Sequence, residues 1–576
     1  MFSLRSAILL ALAATLERAA AVPAKPNSTK VDYVIVGGGP AGLVLAEELT
    51  RNPRVKVVLL EAGPDSSLDD KVNTPALFYE TGQYVWNFAS TPDPALAGRA
   101  PDLVQGRALG GGSAVNGMGY SRGASSVFDE WARLTGNPGL AWKSMLEAFR
   151  ATTHFQTDTH PADQVAVNQS SFGSGPLEIT SQRFQLALDR PFVDAFTSSF
   201  HVPEIDFVSG YGIGVTEQTD AIRASNRTRS YAWNTFGWLA ATRANFEVRH
   251  DAWATKIGFQ GKTAESVTYN DTLTNTLHTI KAREVVVAAG AICSPQLLML
   301  SGVGPAQHLK QMGIPVVHDS PEVGRNLMDH HNAVLAFDTV PDQGTVWQFT
   351  QNQTGAQQAR DQYAANGDGL LGAVNGNVFG AVRLPDSVFE GHGSYHTGLP
   401  SDRPHVIYAY TTFPVRPEYA DRSAVFPYVA LVQPEARGRV MLATGDYRDA
   451  PVIDAAYWGT SGDKAAMLYA YKQYRAFLGQ QSLHALLPTE LLPGANVTSD
   501  DDVWAVVQQT SSSFHHAVGT VAMGSVLDAN WRVRGVHGLR VIGSPAMPNI
   551  TTCHTMATSY AMGYRAAQDI KAQDRV

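Results

Sequence analysis

A chain of 576 residues with 44% hydrophobic and 17% charged residues is globular and too long for one ordinary core, at roughly 100–200 residues per domain. Its net charge of −8 lacks the basic excess that nucleic acid or an anionic membrane surface demands. Two cysteines are too few for a structural zinc site, no HExxH-like ligand spacing is present, and no metal is expected.

The N-terminus reads as a secretory signal over residues 1–21. Arg5 supplies the positive region, AILLALAATL the apolar stretch, and Ala19–Ala21 the small residues for cleavage. No later run reaches 18 apolar residues, so no membrane span is expected. The sequons at Asn27, Asn168, Asn226, Asn270, Asn352 and Asn496 fit an exported glycoprotein, whereas that at Asn549 is expected inside a site. In an exported chain Cys293 and Cys553 could pair, or both could be buried thiols.

VDYVIV (31–36) is a β-branched apolar strand, AGLVLAEELTRN (41–52) a helix, and VKVVLLEAG (55–63) a second strand. Between strand and helix, Gly37, Gly39 and Gly42 fit G-x-G-x-x-G. The first glycine permits a tight turn, the second a close approach to a pyrophosphate, and the third close helix–strand packing. The helix N-terminus then offers free N–H groups to phosphates. Glu61 ends the second strand, where a carboxylate can accept from ribose hydroxyls. This βαβ unit predicts dinucleotide binding. An exported protein cannot rely on a soluble NAD pool, so a tightly held FAD suits it better.

Two longer segments follow, GRALGGGSAVNGMGYSRGASSVFD (106–129) and GAICSPQLLMLSGVG (290–304). Together with VGRNLMDH (323–330) and two C-terminal segments, they resemble the signatures of the glucose–methanol–choline (GMC) oxidoreductases. That family is FAD-dependent and mostly oxidises alcohols. The resemblance implies cofactor contacts at Gly111, Ser113, Asn116, Gly117, Ala254, Gly290 and Ser544, beside Gly37, Gly39, Gly42 and Glu61. Some members bind flavin covalently through a His one residue before the Asn. Val115 stands there, which implies non-covalent FAD. In SSSFHHAVGTVAMG (511–524) and NITTCHTMATSYAMGYRAAQDIKAQ (549–573), the family pattern places a catalytic base on His516 and a hydrogen-bonding partner on His554, with His515 lining the site. One departure is VIGSPAMP (541–548): Gly543 stands where the family often has an acid, and Pro545 removes a backbone donor.

The expected fold is α/β: a discontinuous Rossmann-like FAD-binding domain (30–145, 225–325 and 512–576) and an α+β substrate domain built on an antiparallel sheet (146–224 and 326–511). Tyr84, Trp86, Tyr408 and Tyr410 are either pocket-lining or ordinary core. Imidazoles titrate near neutrality, which suits removal of a hydroxyl proton while hydride leaves the same alcohol. The expected partners are a small-molecule alcohol and oxygen or another electron acceptor. The alternatives are a biosynthetic enzyme for one specialised metabolite, with oxidation coupled to ring closure, and a non-redox flavin lyase or cyclase.

Overall fold

The strand VDYVIV runs through the middle of a seven-stranded sheet, and every residue from Tyr33 to Val36 is buried. Continuous apolar strands of this kind belong to parallel sheets covered on both faces. Val31–Val36 pairs in parallel with Val57–Leu60 on one side and with Thr276–Val287 on the other. Phe246–Arg249 and Leu539–Val541 extend the parallel part. Thr263–Asp271 and Ala252–Gln260 add an antiparallel meander. This is a computed structural model, and it describes residues 30–157, 167–340, 345–374, 376 and 378–576. The expected signal peptide and Asn27 lie outside the described residues.

The helix Pro40–Thr50 leaves the first strand through the glycine turn and is almost wholly buried. It packs against the C-terminal helix Met556–Asp574. Tyr33 Oη donates to Asp574 at 2.5 Å, so the first strand and the last helix are tied directly. Arg540 is fully buried and pairs with both Glu284 (2.5 Å) and Asp574 (3.1 Å) across the same seam.

An eight-stranded sheet, antiparallel throughout, forms the other half. Its order is Thr489–Leu492, Ala336–Asp338, Ala424–Leu431, Val406–Thr411, Val378–Val382 and Gly214–Glu217, with His331–Val334 and Ser512–Ser513 joined to one side. Two large apolar clusters accompany the two sheets. The cluster of the first sheet reaches past residue 145. The helix Trp142–Thr152 spans that expected boundary, and its Met145, Ala148 and Phe149, with Leu177 and Ile179, join the first cluster. Residues Val31–Val576 accordingly group as one unit.

Among the described residues no helix is long and apolar enough to cross a membrane. Cys293 and Cys553 are both free thiols, the first half-buried and the second buried. Burial pushes the Cys553 thiol up to about 12, so it fills space and is not a nucleophile at neutral pH.

Candidate active site

A cavity of about 970 Å³ is lined by residues of both halves. Gly37, Gly39, Glu61, Gly111, Ser113, Asn116, Gly117, Ala254, Gly290, Ser544, His516 and His554 all line it. Gly42 does not, because it packs on the turn itself: a Cβ there would lie 2.1 Å from Gly37 O.

The glycine end is a cradle that side chains would fill. Gly37 has φ +110°, and a Cβ on it would meet Ala288 O at 2.4 Å. Gly111 has φ +53°, and its Cβ would meet Gly39 Cα at 2.7 Å. Three helices, Pro40–Thr50, Gly290–Leu300 and Met556–Asp574, begin at the cavity wall. None has a side-chain cap or an acid in its first turn. Their free N–H groups and positive dipole ends suit an anionic ligand such as a diphosphate. Glu61 is buried, with Oε2 accepting from Gly38 N (2.8 Å) and Oε1 from Gly63 N (2.9 Å). Burial pushes it up to about 7 against the pull of these amides. Trp86, Trp253 and Tyr447 form an aromatic wall, with ring centroids 4.9 Å apart at each contact. The donor set and the shape fit FAD: amides for the diphosphate, a carboxyl for ribose and aromatic faces for a purine.

Two of the expected contacts turn their side chains elsewhere. Ser113 Oγ donates to Gly110 O (2.6 Å) and accepts from Ala232 N (3.2 Å). Asn116 Nδ2 donates to Met556 Sδ (3.0 Å), while its Oδ1 accepts from Met118 N and Arg229 Nη1. Both side chains fix the shape of the loop, whose residues line the cavity. Gly543 has φ +81°, where an acid would be strained. A Cβ there would lie 2.9 Å from Ala41 Cβ, so the glycine lets Ser544 sit beside the first helix. Of the four aromatics singled out, Trp86 lines the cavity. Tyr408 and Tyr410 are fully buried in the second core, and Tyr84 donates to Asp69 at 2.8 Å.

At the other end His516 faces His554, with His516 Nε2 3.3 Å from His554 Nδ1. Phe514 packs against both rings, Phe379 against His554, and Tyr428 against Phe514. His515 adopts a left-handed φ of +60°, and its Nδ1 accepts from Val104 N (3.2 Å). Asp329 holds the turn: it accepts from His516 N (2.9 Å), from Tyr457 Oη (2.6 Å) and from Ser513 Oγ.

A third imidazole completes the arrangement. His330 Nδ1 lies 2.9 Å from His516 Nδ1, and His330 Nε2 lies 2.9 Å from Thr551 O. A carbonyl only accepts, so His330 Nε2 carries the proton. Burial pushes His330 down to about 4, which keeps it neutral and its Nδ1 bare. That Nδ1 accepts from His516 Nδ1–H, which leaves His516 Nε2 as an acceptor whose lone pair meets His554 Nδ1, 3.3 Å away, at the end of the cavity. Burial holds His516 well below 6.5, with neighbouring imidazoles adding to the shift, and pushes His554 down to about 4. The three rings are therefore neutral at pH 7, with one basic nitrogen aimed inward. The motif MDHH at 328–331 contained this residue, but nothing local links it to a histidine 186 positions later.

The sequence matches the profiles of the GMC oxidoreductase family over residues 31–332 and 434–563. The chain is a GMC oxidoreductase. This GMC oxidoreductase is 30% identical to dehydrogenase pkfF of Emericella nidulans over 94% of its length and 93% of that protein. It is 30% identical to patulin synthase of Aspergillus clavatus, covering 95% and 92% of the two chains. An FAD-dependent oxidoreductase from Chaetomium thermophilum superimposes with a TM-score of 0.85 at 28% identity, over 95% of this chain and 100% of that one. The protein is thus an FAD-dependent enzyme that oxidises alcohol groups.

Proposed function

We propose that this GMC oxidoreductase is an exported glycoprotein that oxidises the CH–OH group of one specialised metabolite, with His516 as the base and oxygen or another acceptor taking the electrons. The observation that carries this reading is the ordered set of neutral rings, His554–His516–His330, at the end of a glycine-lined cavity. The flavin, bound non-covalently, supplies the hydride acceptor. Residues of the 37–42 turn, Glu61, the 110–117 loop and the helix starts at Gly290 and Met556 hold it. His516 Nε2 receives the hydroxyl proton, and the His516 imidazolium so formed keeps its Nδ1–H bond to His330. His554 Nδ1 lies next to the same spot and stabilises the developing alkoxide. Phe514 and Phe379 exclude water from the pair.

Export is supported by the signal-like N-terminus and by sequons whose Asn168, Asn226, Asn352 and Asn496 are exposed. Asn270 is 7% exposed and is a poor acceptor. The likeness to a fungal patulin synthase supports a role in making one metabolite. The test is anaerobic mixing of the purified holoenzyme with a panel of alcohols while flavin absorbance is followed. Bleaching by one class identifies the substrate, and admitting air separates oxidase from dehydrogenase. If no alcohol bleaches a bound flavin, the alcohol-oxidation reading loses to a non-redox one. Loss of mass on deglycosylation tests the export reading.

A further inference from the structure

Apart from the histidines, the described residues of the cavity wall carry two guanidinium groups, Arg99 and Arg416. Among the described lining residues the sole carboxylate is Glu61, held by the Gly38 and Gly63 amides at the glycine end. Arg99 Nη1 donates to Gln508 O (2.7 Å) and Ser511 O (3.0 Å), and its Nε and Nη2 have no partner among the described residues. Arg416 Nε and Nη2 both meet Glu418 Oε1, at 2.9 and 2.7 Å, which leaves its Nη1 open. Burial, and then the charge of Arg416, hold the Arg99 guanidinium below its ordinary value. Two like charges at one cavity wall repel. An anion at this wall meets the open Nε–Nη2 fork of Arg99 and the single open Nη1 of Arg416, whose other nitrogens stay paired with Glu418.

Its place suits a substrate. Ser511, whose carbonyl holds Arg99, precedes His516 by five residues, a chain span of at most roughly 18 Å between Cα atoms. An extended small molecule bridges that length. We infer that Arg99 and Arg416 form an anion subsite, and that the preferred substrate is an alcohol bearing a carboxylate at the end remote from its CH–OH group. This inference rests on the reading of the cavity as an alcohol-oxidising site.

The test separates the two readings by measuring binding without turnover. Holoenzyme is titrated with benzoate, cinnamate and 4-phenylbenzoate, and with the corresponding amides, while the visible flavin spectrum is recorded. At least one acid is expected to bind about 10- to 100-fold tighter than its amide. The double variant Arg99→Met, Arg416→Met is expected to remove that difference while retaining its FAD and its circular dichroism. Equal affinity for acid and amide, no spectral response to any acid, or an acid preference that survives in a folded double variant overturns the subsite. Anaerobic reduction by 4-(hydroxymethyl)benzoate and its methyl ester then reports on the chemistry. Acid-selective binding with no reduction by either compound leaves the subsite standing and removes alcohol oxidation. Reduction without acid-selective binding does the reverse.

Discussion

The unprotonated Nε2 of His516, facing His554 Nδ1, is set by a carbonyl it never touches: Thr551 O fixes the tautomer of His330, and His330 fixes that of His516. In the role proposed for it, a base set in this way is ready before substrate arrives, and its preparation depends on neutrality of both rings.

Replacing His516 with Ala removes the proton acceptor and leaves the glycine cradle intact. The variant is expected to keep its flavin and to lose about 10²- to 10⁴-fold in the anaerobic rate of flavin reduction by alcohol. A rate near wild type shows that another group takes the proton.

His330→Leu leaves His516 Nδ1–H without its acceptor, whereas His330→Gln offers an amide oxygen in its place. Leucine is expected to slow flavin reduction by about 10- to 100-fold, the size typical of lost orienting partners, and glutamine to recover part of it. If both variants slow the reaction equally, His330 acts through packing alone.

Burial lowers His516, so its protonation is shifted to acid. The base is active when neutral, so the rate of flavin reduction is level at neutral pH and falls on acidification. The acid limb is expected below 6.5, the ordinary imidazole value. Stopped-flow reduction across pH 4.5–8 in ~0.5-unit steps locates it. A midpoint at or above 6.5 contradicts a buried neutral base.

Gly37→Ala and Gly111→Ala each put a Cβ into backbone atoms at a positive φ. Both proteins are expected to purify with much less FAD per chain than wild type, read as the ratio of flavin to protein absorbance. Gly98→Ala is the control, since its positive φ has open space around it. Full flavin content in Gly37→Ala rules out the tight turn as a cofactor determinant.

Much of this arrangement was legible in the residues because local sequence carries it. The glycine turn, Glu61 and the helix start lie within thirty residues, and the periodic change from strand to helix names the unit. His516 and His554 were legible through their motifs. His330 was not, because its role arises from register: His331–Val334 pairs with Ser512–Ser513, and that pairing brings His330 beside His516. The inward turn of Ser113 and Asn116 was equally hidden, since their partners Ala232, Arg229 and Met556 come from distant segments. The edge of the first core was misplaced for a related reason. Trp142–Thr152 has an ordinary amphipathic pattern, and such a pattern does not say which sheet its apolar face will meet.

The tie between Tyr33 and Asp574 has a consequence for how the enzyme is made. The first strand leaves the ribosome early, but its edge of the site is closed by Leu539–Val541, His554 and the last helix. A nascent chain can therefore fold its N-terminal βαβ unit and still have no base pair, no third helix start and no closed cavity. Translation cut short anywhere before residue 550 yields a protein without His554. Closure of the site therefore waits on the segments from Leu539 onward, long after the glycine turn has been made.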